Sequence, residues 1–129
     1  MQKAFFKVPT PQNEPVLSYS PGSPERSAAK EALQELSEQV IDIPMFIGGK
    51  EGRTDNKLPI SPPHDHQHVI GHYSRGTAEH VNQAIDAALA AKSSWEGMSW
   101  EHRASIFLKA ADLLAGPWRA RMNAATMLA

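Results

Sequence analysis

Trp95-Glu96-Gly97-Met98-Ser99-Trp100-Glu101-His102-Arg103-Ala104-Ser105-Ile106-Phe107-Leu108-Lys109-Ala110-Ala111-Asp112-Leu113-Leu114 is the most informative stretch of the chain. Ser99 suits a helix N-cap, and Glu101 faces the positive end of the helix dipole. Trp100, Ala104, Phe107, Ala111 and Leu114 then recur on one helical face, and Ile106, Ala110 and Leu113 widen it. Gly116-Pro117 stops the helix.

The same signals recur on both sides. Upstream, Thr77 caps a second helix with Glu79 in its first turn, and Val81, Ala84, Ile85, Ala88 and Leu89 give it an apolar stripe ending around Ser94. Downstream, a further helical run starts near Trp118 and meets no stop residue before Ala129, so the expected end is a cut rather than a natural terminus. Nearer the start, Ser23-Pro24-Glu25 opens a helix of about residues 24–40, striped by Ala29, Leu33, Leu36 and Val40.

Between the helices the pattern is strand-like. Ile43-Pro44-Met45-Phe46-Ile47 is a short β-prone run before the turn signal Gly48-Gly49. The following segment, to about Pro63, reads as polar and turn-rich. His68-Val69-Ile70-Gly71-His72-Tyr73 reads as a second strand. Both are too short for a stable sheet alone, so the expected sheet is completed by something else.

Pro9, Pro11, Pro15, Pro21 and Pro24 crowd the first part of the chain, which predicts an extended arm over residues 1–22. Phe5, Phe6, Val8, Val16, Leu17 and Tyr19 would be the apolar anchors of that arm on a folded body.

The 129 residues suit one domain, and the formal net charge of −1 makes nucleic acid and anionic membrane poor default partners. No apolar run approaches the ~20 residues of a membrane-spanning helix. No signal peptide or obvious transit peptide is legible. Without cysteine there is neither a disulfide framework nor a thiolate metal site. The expected compartment is the cytoplasm, with the mitochondrial matrix as the alternative.

Several blocks together resemble the aldehyde dehydrogenase family. Pro44-Met45-Phe46-Ile47-Gly48-Gly49-Lys50 is similar to that family's opening hairpin, and Val69-Ile70-Gly71 to its second-hairpin strand. Val81-Asn82-Gln83-Ala84-Ile85-Asp86-Ala87-Ala88 and the block from Trp95 to Leu114 follow in the family's order. The narrower resemblance is to its 1-pyrroline-5-carboxylate dehydrogenase branch. It rests on Asn13-Glu14-Pro15-Val16-Leu17, on Gly22-Ser23-Pro24-Glu25-Arg26, and on Ile106-Phe107-Leu108-Lys109-Ala110-Ala111-Asp112 with Gly116-Pro117 after it.

The resemblance implies the N-terminal segment of a chain several times longer, of α/β fold with a Rossmann-like NAD domain. The segment itself would be mostly helical with short hairpin strands. Residues 1–22 would be the arm and 23–41 the N-terminal helix. Residues 42–76, with strands near 43–48 and 68–73, would belong to the sheet region used in oligomer contacts. Residues 77–129 would begin the NAD-binding domain.

The implied reaction oxidises L-glutamate γ-semialdehyde to L-glutamate with NAD, the second step of proline degradation. A cysteine attacks the aldehyde, hydride passes to nicotinamide, and a glutamate activates the water that releases the acid. The family's motifs for these tasks map onto no residue here. No catalytic, cofactor-binding or metal residue is therefore expected in the segment, and it should be inactive alone. Its implied partners are the remainder of its own chain, further copies in a homo-oligomer, and a small-molecule substrate.

Four features invite sharper readings. His64-Asp65-His66-Gln67-His68, with His72, could converge on a metal if extended, but reads first as a solvated turn. Gly48-Gly49 could cradle a phosphate, but no helix start follows it, so a hairpin turn is expected. Arg103 could bind an anion, against the plainer expectation of an ion pair or a bond to a carbonyl. Trp95, Trp100 and Trp118 could box a ligand, but their places at helix ends suggest packing between helices. From other classes, a non-enzymatic helical interaction module and a small histidine-based metal protein compete with the enzyme reading.

Overall fold

A computed structural model describes residues 9–129 of the protein. Four helices and five short strands follow in the order α1 Pro24–Glu38, β1 Ile41–Ile43, β2 Met45–Ile47, β3 Lys50–Gly52, β4 Lys57–Ile60, β5 Gly71–Ser74, α2 Ala78–Gly97, α3 Trp100–Ala115 and α4 Arg119–Leu128.

The helices start where their caps stand. The Ser23 hydroxyl accepts from the Arg26 N–H at 3.4 Å, and the Ser99 hydroxyl accepts from the His102 N–H at 3.4 Å. These bonds satisfy amide groups that have no partner inside the helix. At α2 the His80 ring contributes: its Nδ1 accepts the Thr77 backbone N–H at 3.2 Å. Helix α1 ends at Glu38, short of the expected residue 40, because Gln39 turns to extended geometry. Helix α2 runs past Ser94 to Gly97, where the Met98 N–H bonds the Trp95 carbonyl.

The strands depart further from expectation. Pro44 divides the run around Phe46 into β1 and β2, which belong to different sheets. β1 pairs with β5 in parallel, Ile41 opposite Gly71, and β4 pairs with β5 antiparallel, giving the order β1-β5-β4. β4 lies in the stretch expected to be turn-rich. It holds Pro59 without losing a ladder bond: Ile60 O accepts from Ile70 N–H and Asn56 O from Arg75 N–H, so the alternation points Pro59 to the free edge. The expected strand at 68–73 begins only at Gly71, since His68 to Ile70 still belong to the loop.

β2 and β3 form a separate antiparallel hairpin, Ile47 opposite Lys50. Its two-residue turn has φ of 58° at Gly48 and 77° at Gly49. Positive φ at both positions is the turn geometry that matches strand twist, and glycine adopts it without a Cβ clash.

The buried centre is small. Leu36, Ile70, Ala124 and Leu128 form it, with Ala32, Leu33 and Ile60 packed around them. It lies where α1 and α4, which pack along each other, meet the three-stranded sheet. α2 rests on β2, and α3 touches α4, but α2 and α3 do not pack along their lengths.

The arm corrects one expectation. Val16, read as an apolar anchor, is 99% exposed. Leu17 and Tyr19 are half-buried, and polar contacts add to the hold: Arg119 Nη2 donates to the Pro15 carbonyl at 3.0 Å and Asn123 Nδ2 to the Tyr19 hydroxyl at 3.0 Å. Phe5, Phe6 and Val8 lie outside the described residues.

Candidate functional site

The histidine segment is a double turn. Asp65 N–H bonds the Pro62 carbonyl at 3.1 Å, His68 N–H the Asp65 carbonyl at 3.2 Å, and Gln67 N–H the Asp65 carboxylate at 3.2 Å. Strand alternation therefore does not bring the imidazoles to one side. His68 Nε2 lies 2.7 Å from the Ser37 carbonyl, so its ring ties this loop to the end of α1. Among the described residues, no three histidine or carboxylate side chains gather as a metal site would require.

The glycine pair is occupied by its turn. A Cβ at Gly48 would stand 3.5 Å from the Ala87 Cβ, so the hairpin tip lies against α2 rather than opening towards a phosphate. Gly116 closes α3, its N–H bonded to the Asp112 carbonyl. Neither glycine motif starts a strand-turn-helix loop. Among the described residues nothing fits the pyrophosphate of a dinucleotide, which needs amides gathered at a helix N-terminus behind such a loop.

Arg103 is half-buried in the first turns of α3, and among the described residues its guanidinium has no hydrogen-bond or ion-pair partner, contrary to the structural pairing expected. Trp95 meets Phe107 edge to face, which joins the end of α2 to α3. The three tryptophans form no common box: Trp95, Trp100 and Trp118 each remain more than a third exposed.

One charged cluster stands between the two sheets. Asp42 of β1 receives Lys57 Nζ at 2.8 Å and Arg53 Nε at 3.3 Å, and Arg53 also reaches Glu51 at 2.7 Å. The Lys57 hydrogen bond, aided by its charge and by Arg53, holds the Asp42 carboxyl below its ordinary range. The Glu51 hydrogen bond, with Asp42 beside it, raises Arg53. These exposed pairs tie the strands and the segment after β3 together.

The dominant surface is apolar. Val81, Ile85 and Leu89 on α2 and Phe107 and Leu114 on α3 are all more than half exposed, Phe107 at 67% and Leu89 at 64%. A second apolar opening, about 130 Å³, lies between the sheet and the end of α4, lined by Leu36, Ile41, Ile43, Ile60 and Leu128. Faces of this kind on a small body mark contact surfaces. The apolar stripes that sequence periodicity marks on α2 and α3 are thus the exposed faces.

The characteristic sequence pattern of the aldehyde dehydrogenase family matches residues 50–125. The chain belongs to the aldehyde dehydrogenase family. It is 48% identical over 128 residues to the delta-1-pyrroline-5-carboxylate dehydrogenase of Agaricus bisporus, spanning 98% of this chain and 23% of that protein. It is 42% identical over 116 residues to the mitochondrial delta-1-pyrroline-5-carboxylate dehydrogenase of Mus musculus, spanning 90% of this chain and 21% of that protein. Among solved structures, the Mycobacterium tuberculosis delta-pyrroline-5-carboxylate dehydrogenase bound with NAD and cobalamin superposes with a TM-score of 0.94 at 42% identity. It covers 99% of this chain and 24% of that one. A 1-pyrroline-5-carboxylate dehydrogenase from Thermus with bound NAD matches at a TM-score of 0.82 and 26% identity, over 92% of this chain and 23% of that one.

This aldehyde dehydrogenase chain therefore has the fold of a mostly helical segment of that family. It spans about a quarter of the length of the curated relatives it matches. Some of those relatives are labelled mitochondrial and others are not. No helix among the described residues is long and apolar enough to cross a membrane.

Proposed function

We propose that this chain is the N-terminal part of an NAD-dependent dehydrogenase that oxidises L-glutamate γ-semialdehyde, the open form of 1-pyrroline-5-carboxylate, to L-glutamate in proline degradation. The observation that carries the reading is the 48% identity to the Agaricus bisporus enzyme across 98% of the chain. In this reading residues 42–76 contribute to the sheet region used in assembly, and residues 77–129 begin the NAD-binding domain. The chain's first partner is the rest of its own polypeptide, which covers the exposed faces of α2 and α3. The complete enzyme assembles as a homo-oligomer.

Aldehyde oxidation by this family's route needs a thiolate to hold the carbonyl carbon while hydride leaves. The chain has no cysteine. The thiol and the dinucleotide loop therefore belong to the remaining three quarters of the enzyme, and residues 9–129 serve as scaffold for them. We place the protein in the cytoplasm. The label on the Mus musculus relative favours the mitochondrial matrix instead, and cell fractionation separates the two.

The test is to read the coding sequence past Ala129 and assay the encoded protein for NADH formation from glutamate γ-semialdehyde. A continuing frame with a glycine-rich strand-turn-helix, a later cysteine and such activity is expected. A stop codon at that point would favour a non-enzymatic interaction module.

A further inference from the structure

The arm has no ladder or helix of its own between residues 9 and 20, yet side chains of two helices hold it in place. Arg119, whose side chain is 20% exposed, donates through Nη2 to the Pro15 carbonyl at 3.0 Å and lies 3.4 Å from Glu14 Oε1. One turn further along α4, Asn123 Nδ2 donates to the Tyr19 hydroxyl at 3.0 Å. From α1, Arg26 Nη1 donates to the Tyr19 carbonyl at 3.3 Å.

Tyr19 is the strained point of this arrangement. Its φ of 50° makes it the one non-glycine residue in the left-handed region among those described. That region brings the Cβ of an L-residue too close to the following carbonyl, and a bulky aromatic stays there only where its surroundings fix it. Here the surroundings are two different helices. α1 holds the Tyr19 carbonyl and α4 holds its hydroxyl, so one residue bridges the seam between them. The ring also walls an apolar cleft of about 520 Å³ over that seam, facing Ala29, Leu33 and Met127.

We propose that residues 13–20 form a strap across the α1–α4 seam, with Tyr19 as its clasp. The left-handed conformation of Tyr19 is held only while both helices keep their present spacing. Strap and helix pair therefore open and close together, and the fastened strap supplies one wall of the cleft. Arg119, Asn123 and Arg26 are its fastenings. The idea is independent of the dehydrogenase reading.

Limited chymotrypsin digestion of the intact protein, with cleavage after Leu17 and Tyr19 followed by mass spectrometry, tests the fastenings. Arg119→Ala and Asn123→Ala should each speed cleavage at Leu17 about fivefold, the change expected for one ordinary hydrogen bond in a local opening. Glu14→Ala weakens the strap from the arm side and leaves α4 intact, so it should act in the same direction even if the helix variants fold poorly. Lys57→Ala removes the bond to Asp42 in the sheet, away from both arm and seam, and should leave the arm's cleavage unchanged. Equal cleavage of all variants and the wild type, or acceleration by Lys57→Ala alone, would overturn the strap. Hydrogen exchange tests the coupling: Tyr19→Phe should lower amide protection at the α1–α4 seam, and unchanged protection there would refute the clasp.

Discussion

The rings of Trp95 and Phe107 meet edge to face, with centroids 6.4 Å apart and planes at 78°. This contact is what couples α2 to α3, because the helices do not pack along their lengths. Aromatic pairs in this arrangement contribute about 0.5–1.5 kcal/mol beyond the area they bury. A double-mutant cycle of Trp95→Ala and Phe107→Ala, read by urea denaturation, should return a coupling energy of about 0.5–1 kcal/mol, at the low end because both rings are partly solvated. A coupling indistinguishable from zero would mean that α2 and α3 are oriented by the backbone turn at Met98 alone.

The exposed stripe on those helices sets the behaviour of the isolated 129 residues. Leu89 and Phe107 face solvent, while the buried centre consists of Leu36, Ile70, Ala124 and Leu128. A buried centre of four apolar residues among those described leaves little margin against chain entropy. The isolated chain should be helical by circular dichroism, melt with weak cooperativity, and self-associate in sedimentation. Ile85→Lys with Leu89→Lys should shift it towards monomer. A sharp two-state melt of a wild-type monomer would show that these residues close their own core, and would favour the interaction-module reading.

Much of this was legible in the sequence, for local reasons. Ser23 and Ser99 start their helices through bonds three residues away, and Gly48-Gly49 makes its own turn, so short windows suffice. The stripes on α2 and α3 were legible as amphipathic faces, but periodicity does not say what covers them. The pairing of β1 with β5 was not legible, because it is parallel and joins Ile41 to Gly71 across the intervening hairpin and loop. β4 was hidden by Pro59, which argues against a strand unless its position at a sheet edge is known. Val16 failed as an anchor because hydrophobicity in an extended segment does not say which side faces the body. The polar hold of Arg119 on Pro15, at a separation of 104 residues, has no short-range signal at all.

The histidine segment should ignore zinc. His68 is engaged with the Ser37 carbonyl, and the double turn keeps its neighbours from converging. Calorimetry should detect no tight one-to-one zinc binding. His68→Ala should cost about 0.5–1.5 kcal/mol in chemical denaturation through the lost tie to α1. Tight binding that vanishes in a His66→Ala, His68→Ala variant would reverse this reading.

The Asp42 cluster predicts an acid-side loss of stability. The Lys57 hydrogen bond is the largest cause of its lowered carboxyl, with Lys57 and Arg53 charges adding to it. A carboxyl lowered on folding stabilises the protein above its unfolded value, and that stabilisation disappears as pH falls through the folded value. For Asp42 the window lies from about pH 4 downwards. Asp42→Asn should flatten the stability curve there, and should lower stability at neutral pH only slightly because the cluster is exposed. Urea midpoints at pH 7, 4 and 3 for both proteins measure it, and parallel curves would remove Asp42 from the account.

Gly71 is where the sheet is least tolerant. A Cβ built at this position would stand 2.8 Å from the Ile41 carbonyl oxygen and 3.5 Å from the Ile41 nitrogen. Both are backbone atoms of the paired strand, so no side-chain rotation can relieve the contact. Gly71 is buried, and β1 and β5 are three and four residues long, so there is little ladder to absorb a shift. Gly71→Ala should therefore separate β1 from β5 and destabilise the protein by about 1–3 kcal/mol, in the range of other overpacked interiors. The control is Gly97→Ala, where an added Cβ meets nothing within 4 Å. Lying at the last position of α2, that substitution should be neutral or stabilise slightly, since alanine restricts the unfolded chain more than glycine does. Hydrogen exchange locates the effect: in Gly71→Ala the Ile41 amide, bonded to the Ile70 carbonyl in the native sheet, should lose protection before the amides of α3. Full protection at Ile41 in that variant would mean that β1 moves with its neighbour and that the close approach is not what fixes the pairing.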